Sequence, residues 1–242
     1  MLKKIYLKIR GIVKSVCPDI VKKVFRKMRR NVNEKGHKEV FSEIYQNNIW
    51  GKDDGGGFYS GTGSDDDYSI PYANTIIKFI DENNISSVVD LGCGDFRVGD
   101  KINKNTQIKY VGVDVVPDLI KHHQQKYQTD KIKFKQLNIV KDQLPAGQLC
   151  LIRQVLQHLS NSDIQKILAK CKQYQYLIVT EHLPTMENVI PNKDKPYDES
   201  NRLSDDSGVY LDQPPFNKQV RELLTVFPKA EENSKIVTFL VS

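Results

Sequence analysis

The segment Val88-Val89-Asp90-Leu91-Gly92-Cys93-Gly94-Asp95 constrains this chain more than any other. A short apolar run gives way at two glycines, where backbone without Cβ can come close to a nucleotide-like ligand. Asp114 stands 22 residues beyond Gly92, at the end of a second apolar run, 108–113. A carboxylate there can accept hydrogen bonds from both hydroxyls of a ribose. A glycine pair alone says little, but the pair with a strand-ending acid at this spacing points to an open α/β sheet. The dinucleotide fingerprint needs a third glycine at position 97, which is Arg97, and the pattern GxxxxGK[ST] is absent. Pyrophosphate and triphosphate cradles are therefore disfavoured, which leaves a ligand with adenosine and ribose but no diphosphate.

The residues around this segment alternate as a parallel α/β domain does. Strands are expected at 85–91, 108–113, 132–137, 148–153 and 176–180, with a closing hairpin at 223–227 and 236–241. Helical pieces fall at 98–102 and 117–127, another begins at Asn161 or Ser162, and Ser64 or Asp65 can cap one through Ile80. With 39% hydrophobic and 27% charged residues in 242, wholesale disorder is excluded. No apolar run approaches the roughly 18 residues that span a bilayer, and no h-region follows the basic start, so no secretory signal is expected. Cys17, Cys93, Cys150 and Cys171 show neither CxxC pairing nor metal-ligand spacing, so no metal is expected and a reduced, cytoplasmic setting fits.

Charge divides the chain. Residues 1–38 hold 13 Lys or Arg against Asp19 and Glu34, a net of +11; the whole chain is +6, which leaves −5 for the rest. Leu2, Ile5, Ile9, Ile12, Val13 and Val16 recur at helical spacing among the basic residues, and Ile20, Val21, Val24, Phe25 and Met28 follow Pro18. A basic amphipathic arm over 1–48 is expected to meet an anionic membrane surface, making the protein peripheral, or to pack on protein. A body over 49–242 follows. Its Gly-rich stretch 51–64 reads as a long functional loop.

Three motifs in order resemble those of the class I S-adenosylmethionine-dependent methyltransferases. They are Asp90-Leu91-Gly92-Cys93-Gly94, Tyr110-Val111-Gly112-Val113-Asp114 and Arg153-Gln154-Val155-Leu156-Gln157-His158-Leu159, and the resemblance spans about residues 60–242. Ser60-Gly61-Thr62-Gly63-Ser64 and Gly208-Val209-Tyr210-Leu211 are similar to a bacterial subgroup that accompanies cell-envelope glycan and specialised-metabolite pathways. The fold implied is a Rossmann-like, seven-stranded sheet flanked by helices, and the cofactor implied is S-adenosylmethionine. Gly92 and Gly94 would face it, Asp90 would orient the loop or reach the methionine amino group, and Asp114 would hold the ribose. Val115 would also contact the cofactor, and Asn138 and Ile139 would flank the adenine. Arg153 and Gln154 would lie at the methionine moiety. Ser60, Gly61 and Gly63 would close over its carboxylate through a nest of N–H groups. Phe96 and Asn138 depart from the commonest pattern, which has Gly and Asp at these positions.

The acceptor side offers His158, Glu181 and His182 as candidate bases at strand ends. The polar segment 183–217 reads as an acceptor lid in which Arg202, Asp206, Tyr210 and Phe216 would touch substrate, with Arg202 gripping an anionic or sugar-phosphate acceptor. The resemblance implies methyl transfer to a small-molecule or glycan acceptor, on oxygen, in capsule or lipopolysaccharide biosynthesis. Two alternatives stand beside it. A nucleic-acid methyltransferase is suggested by the arm and by Asp212-Gln213-Pro214-Pro215-Phe216, although a −5 body supplies no phosphate groove. The other is a binding module that keeps the cofactor site and has lost the acceptor site.

Overall fold

Val88, Val89, Leu91, Leu149, Leu151 and Ile152 are buried almost completely, as near-continuous apolar runs must be when helices cover both faces of a parallel sheet. The computed structural model describes residues 35–53, 55–229 and 233–242. β1 (Ser87–Leu91) lies between β2 (Lys109–Asp114) and β4 (Leu149–Arg153), with β3 (Ile132–Gln136) beyond β2 and β5 (Tyr176–Pro184) beyond β4, all parallel. β7 (Ser234–Val241) is antiparallel to both β5 and β6 (Val220–Val226). The seven-stranded order is thus β3-β2-β1-β4-β5-β7-β6, the sheet the sequence implied. The order reverses direction at β1, which places a ligand crevice outside the carboxyl ends of β1, β2 and β4.

The helices are α1 (His37–Gln46), α2 (Asp66–Glu82), α3 (Arg97–Lys104), α4 (Pro117–Lys126) and α5 (Asn161–Cys171). Strand alternation sends Val88, Tyr110 and Leu149 into one core layer with Tyr72, Ile76 and Ile80 of α2. Val89, Val113 and Ile152 enter the other, with Ile164, Ile167 and Leu168 of α5. Each fully buried aliphatic side chain contributes about 1.5–3 kcal/mol. Ser160 caps α5, accepting from the Asp163 N–H at 3.2 Å. Asp65 holds the N-cap position of α2, yet its carboxylate accepts the Tyr59 hydroxyl at 3.0 Å instead.

Three features differ from the sequence reading. α1 belongs to the compact unit His37–Ser242 rather than to the arm, because Val40 and Ile44 are buried and His37 Nε2 meets Asp163 Oδ2 at 3.1 Å. β5 runs on to Pro184, because β7 pairs with its extension, Glu181 opposite Val237 and His182 opposite Ile236. The segment 183–217 is no free lid, because Val209, Leu211 and Phe216 pack into the α5-side core. The amphipathic stretches of 1–34 lie outside the described residues. Among the described residues, no helix is long and apolar enough to cross a membrane.

Candidate functional site

At the end of β1 the chain turns through Gly92 and Gly94, both at positive φ (81° and 53°). A Cβ on Gly92 would sit 2.4 Å from Val155 Cγ2, and one on Gly94 2.5 Å from Ser60 Oγ. The turn is tied to β2: Gly92 and Cys93 donate to the Val113 carbonyl at 2.7 and 3.0 Å. Phe96, in place of the commoner glycine, takes the left-handed conformation itself (φ 67°), and its buried ring packs on Phe134 at 4.9 Å and Tyr110 at 5.5 Å. That aromatic packing offsets a backbone cost of about 1–3 kcal/mol. His123 Nε2 lies 2.7 Å from the Gly94 carbonyl and pins the turn from α4.

Asp114 is oriented by two backbone donors, Gly94 N–H at 3.3 Å and Val116 N–H at 3.1 Å. Burial pushes its carboxyl up to about 6, and these N–H groups pull against that rise. Asp90 accepts the Tyr110 hydroxyl at 2.6 Å and is likewise raised by burial to about 6, with Tyr110 and Arg153 opposing. Both acids, Gly92, Gly94, Val115, Asn138, Ile139, Arg153 and Gln154 line one cleft.

Other parts of that cleft carried weaker signals. Asp95 draws the glycine-rich loop in: its Oδ2 accepts from Ser60 N–H at 2.8 Å and Ser64 Oγ at 3.0 Å, while Ser60 Oγ accepts from Asp95 N–H at 2.8 Å. The Ser60 and Ser64 N–H groups are therefore already committed, the latter to the Gly61 carbonyl. Of the loop, Ser60 and Ser64 reach this cleft, whereas Gly61 and Gly63 line its neighbour. Gly63 is required for close approach, since a Cβ there would lie 1.9 Å from Gln154 Oε1. From α1 and the following loop, His37, Phe41, Tyr45 and Trp50 complete the wall. Val40 and Ile44, four apart, were the available signal for that helix. Asn138 Oδ1 is turned to its own backbone, accepting the Val140 N–H at 3.0 Å, so it is a loop cap as well as a wall.

The candidate bases separate. Glu181 is 1% exposed and its two oxygens accept the N–H groups of Leu156 and Gln157, each at 3.0 Å. Burial raises its carboxyl to about 8 against those two donors. It braces the turn Leu156–His158 and lines neither cleft, so its expected role as a base is corrected. His182 faces a second cleft but sits inside β5, bonded to Ser234 Oγ at 2.8 Å. His158 lines both clefts, which also share Trp50, Ser60 and Gln154. Its Nδ1 lies 3.1 Å from the Ser200 carbonyl, which fixes the N–H there and leaves Nε2 as an acceptor. Burial, then Lys195, depress its pKa to about 4, so the ring is neutral at pH 7.

The expected substrate contacts do not converge on either cleft. Arg202 is 1% exposed, donating to Asn161 Oδ1, the Lys193 carbonyl and the Leu159 carbonyl at 2.7–2.9 Å; it holds loops together rather than an acceptor. Phe216 is core, and Tyr210 donates to the Pro184 carbonyl at 3.5 Å and lines neither cleft. Asp206 is exposed at a left-handed turn, also off both clefts. From this segment Glu199 and Asn201 line the second cleft instead.

Residues 88–174 match a family model described as a methyltransferase domain. The chain is similar in fold to the N-methyltransferase NodS from Bradyrhizobium japonicum WM9, solved with S-adenosylhomocysteine, at 12% identity over 73% of this chain and 88% of that one (TM-score 0.51). It is similar also to magnesium protoporphyrin IX methyltransferase (ChlM) from Synechocystis PCC 6803, solved with S-adenosylhomocysteine, at 13% identity over 85% of this chain and 99% of that one (TM-score 0.51). No curated protein matches the chain. At such identities the likeness is one of fold, the class I methyltransferase sheet, whose cofactor is S-adenosylmethionine. The family model and the fold together support a methyltransferase.

Proposed function

We propose that the protein transfers a methyl group from S-adenosylmethionine to oxygen of a small-molecule or glycan acceptor, in the making of a cell-envelope polysaccharide. One observation carries the reading: the acid-lined cleft at β1 and β2 shares Trp50, Ser60, Gln154 and His158 with a second cleft beside it. A methyl donor in the first and an acceptor in the second would meet there. The first cleft suits the cofactor physically. Its glycine turn lets Val155 and Ser60 pack against the backbone where a Cβ would clash, Asp114 offers two oxygens to ribose hydroxyls, and the buried Arg153 Nε has no hydrogen-bond partner.

When bound, the sulfonium cofactor supplies an electrophilic methyl group and a good leaving group, so positioning provides much of the acceleration. His158 Nε2, which accepts from Gln157 Nε2 at 3.3 Å, would exchange that bond for the proton of an acceptor hydroxyl, with the Ser200 carbonyl holding the ring in the accepting tautomer. Trp50, 5.1 Å from that ring, would exclude water from one side. Arg153, whose Nη2 donates to the Gly63 carbonyl at 2.5 Å, would tie the loop over the methionine end. The arm of residues 1–38 would bring the enzyme to the anionic membrane where envelope precursors are assembled. The test is labelled methyl transfer from S-adenosylmethionine into envelope precursors, with mass spectrometry of the product. Transfer to a hydroxyl supports the reading; cofactor binding without turnover on any fraction favours a binding module instead.

A further inference from the structure

The second cleft has a volume of about 550 Å³, room for a mono- or disaccharide, and its polar lining is one-sided. Asp65, Asp66, Asp67 and Glu199 line it, and among the described residues no Lys or Arg does. The cleft takes in the N-terminal turn of α2, a place where an anion could bind, but Asp66 and Asp67 already occupy that turn. Arg202, the one basic side chain the sequence offered for an anionic acceptor, is committed to Asn161, Lys193 and Leu159. A phosphate or carboxylate entering here would meet carboxylates and neutral His158, with no Lys or Arg among the described residues of the lining to receive it.

The same carboxylates do not form a strong cation trap. Asp65, Asp66 and Asp67 have Arg97, Lys101 and Lys229 at 3.9, 2.9 and 3.5 Å, none of the three being part of the lining. What remains is a wall of hydrogen-bond acceptors whose charge is largely balanced. Gln157 adds an independent sign of a ligand. It is 6% exposed, its Nε2 is engaged by the Gln154 carbonyl and His158 Nε2 at 3.4 and 3.3 Å, and its Oε1 has no partner. A buried acceptor left unpaired costs about 1–3 kcal/mol, which a donor from a bound molecule would recover. Trp50 supplies a flat apolar face in the same cleft.

We infer that the acceptor is an uncharged, hydroxyl-rich ring, a sugar without phosphate or carboxylate on the part that enters the cleft, held through its O–H donors by Gln157 Oε1 and the Asp65, Asp67 and Glu199 carboxylates. This rests on the methyltransferase reading and narrows its substrate class. Trp50 is the chain's single tryptophan and lines both clefts, so its emission reports on this one once the first is filled.

The test uses the full chain saturated with S-adenosylhomocysteine and follows Trp50 fluorescence. The probes are methyl glycosides of the common hexoses, the matching hexose 6-phosphates and inorganic phosphate. At least one neutral glycoside should shift the emission saturably, and its phosphorylated counterpart should bind about tenfold more weakly or not at all. Gln157→Leu and Glu199→Ala should each weaken the glycoside about fivefold while leaving S-adenosylhomocysteine affinity within about twofold, the second variant leaving the buried turn untouched. Phosphorylated sugars binding as well as the neutral ones, or no neutral glycoside binding to cofactor-loaded protein, overturns the inference. Failure of S-adenosylhomocysteine itself to bind would overturn the methyltransferase reading instead.

Discussion

Asp114 concentrates the chemistry of the proposed cofactor cleft into one side chain. Its carboxylate is aimed by the Gly94 and Val116 N–H groups, and its free lone pairs are what a ribose would use. Asp114→Ala should cost on the order of 2–3 kcal/mol of S-adenosylhomocysteine affinity by calorimetry, since two charge-assisted hydrogen bonds vanish. An unchanged dissociation constant would sink the assignment. The same residue sets a pH dependence. Burial raises it to about 6, so it is ionised at pH 7 and mostly protonated at pH 5. Ribose hydroxyls need the ionised form as acceptor, so affinity should fall about tenfold from pH 7 to pH 5. A flat profile would show that Asp114 is not the ribose partner. Gly92 sets the other limit: at φ 81° with Val155 2.4 Å from a would-be Cβ, Gly92→Ala should weaken cofactor binding and lower the melting temperature together.

Two elements show how buried polar groups place a site without entering it. Glu181 of β5 satisfies two N–H groups of the turn that carries His158, so each of its oxygens must accept. Glu181→Gln turns an NH2 toward one of those donors and should destabilise the fold by about 1–3 kcal/mol, read by denaturant melting, with S-adenosylhomocysteine affinity within about twofold. Collapse of turnover at unchanged stability would instead return Glu181 to the chemistry. The seven strands and the glycine–acid turn that lines the first cleft were legible because period, turn chemistry and spacing are local signals. The extension of β5 through Glu181 and His182 was not, because it exists by pairing with β7, some fifty residues away in sequence. Arg202 and Phe216 misled for the same reason, since a polar, irregular stretch hides which of its residues a neighbouring helix will bury. Asp95, which draws the loop into the site, and Trp50 announced themselves only by standing beside the glycines.

The whole chain combines a body of mild negative charge with a strongly basic first segment. Residues 1–38 carry 13 Lys or Arg, whereas the remainder sums to −5 within a chain total of +6. Each Lys or Arg close to an anionic bilayer is worth about 1 kcal/mol, and interleaved apolar residues would add burial. The body supplies no attraction of its own, so the two contributions are separable by experiment. Removing residues 1–34 leaves the unit His37–Ser242 entire, including α1 and both clefts. The shortened chain should therefore bind S-adenosylhomocysteine within about twofold of the full chain, while full-length protein alone sediments with anionic vesicles. Sedimentation should weaken as salt rises from about 0.1 to about 1 M, because the screening length contracts from about 10 Å to about 3 Å. Neutral vesicles, which keep the apolar contribution and remove the charge, should hold far less protein than anionic ones. Full-length chain that ignores anionic vesicles at low salt would make the basic segment a protein-packing element, and the acceptor would then have to reach the enzyme from solution.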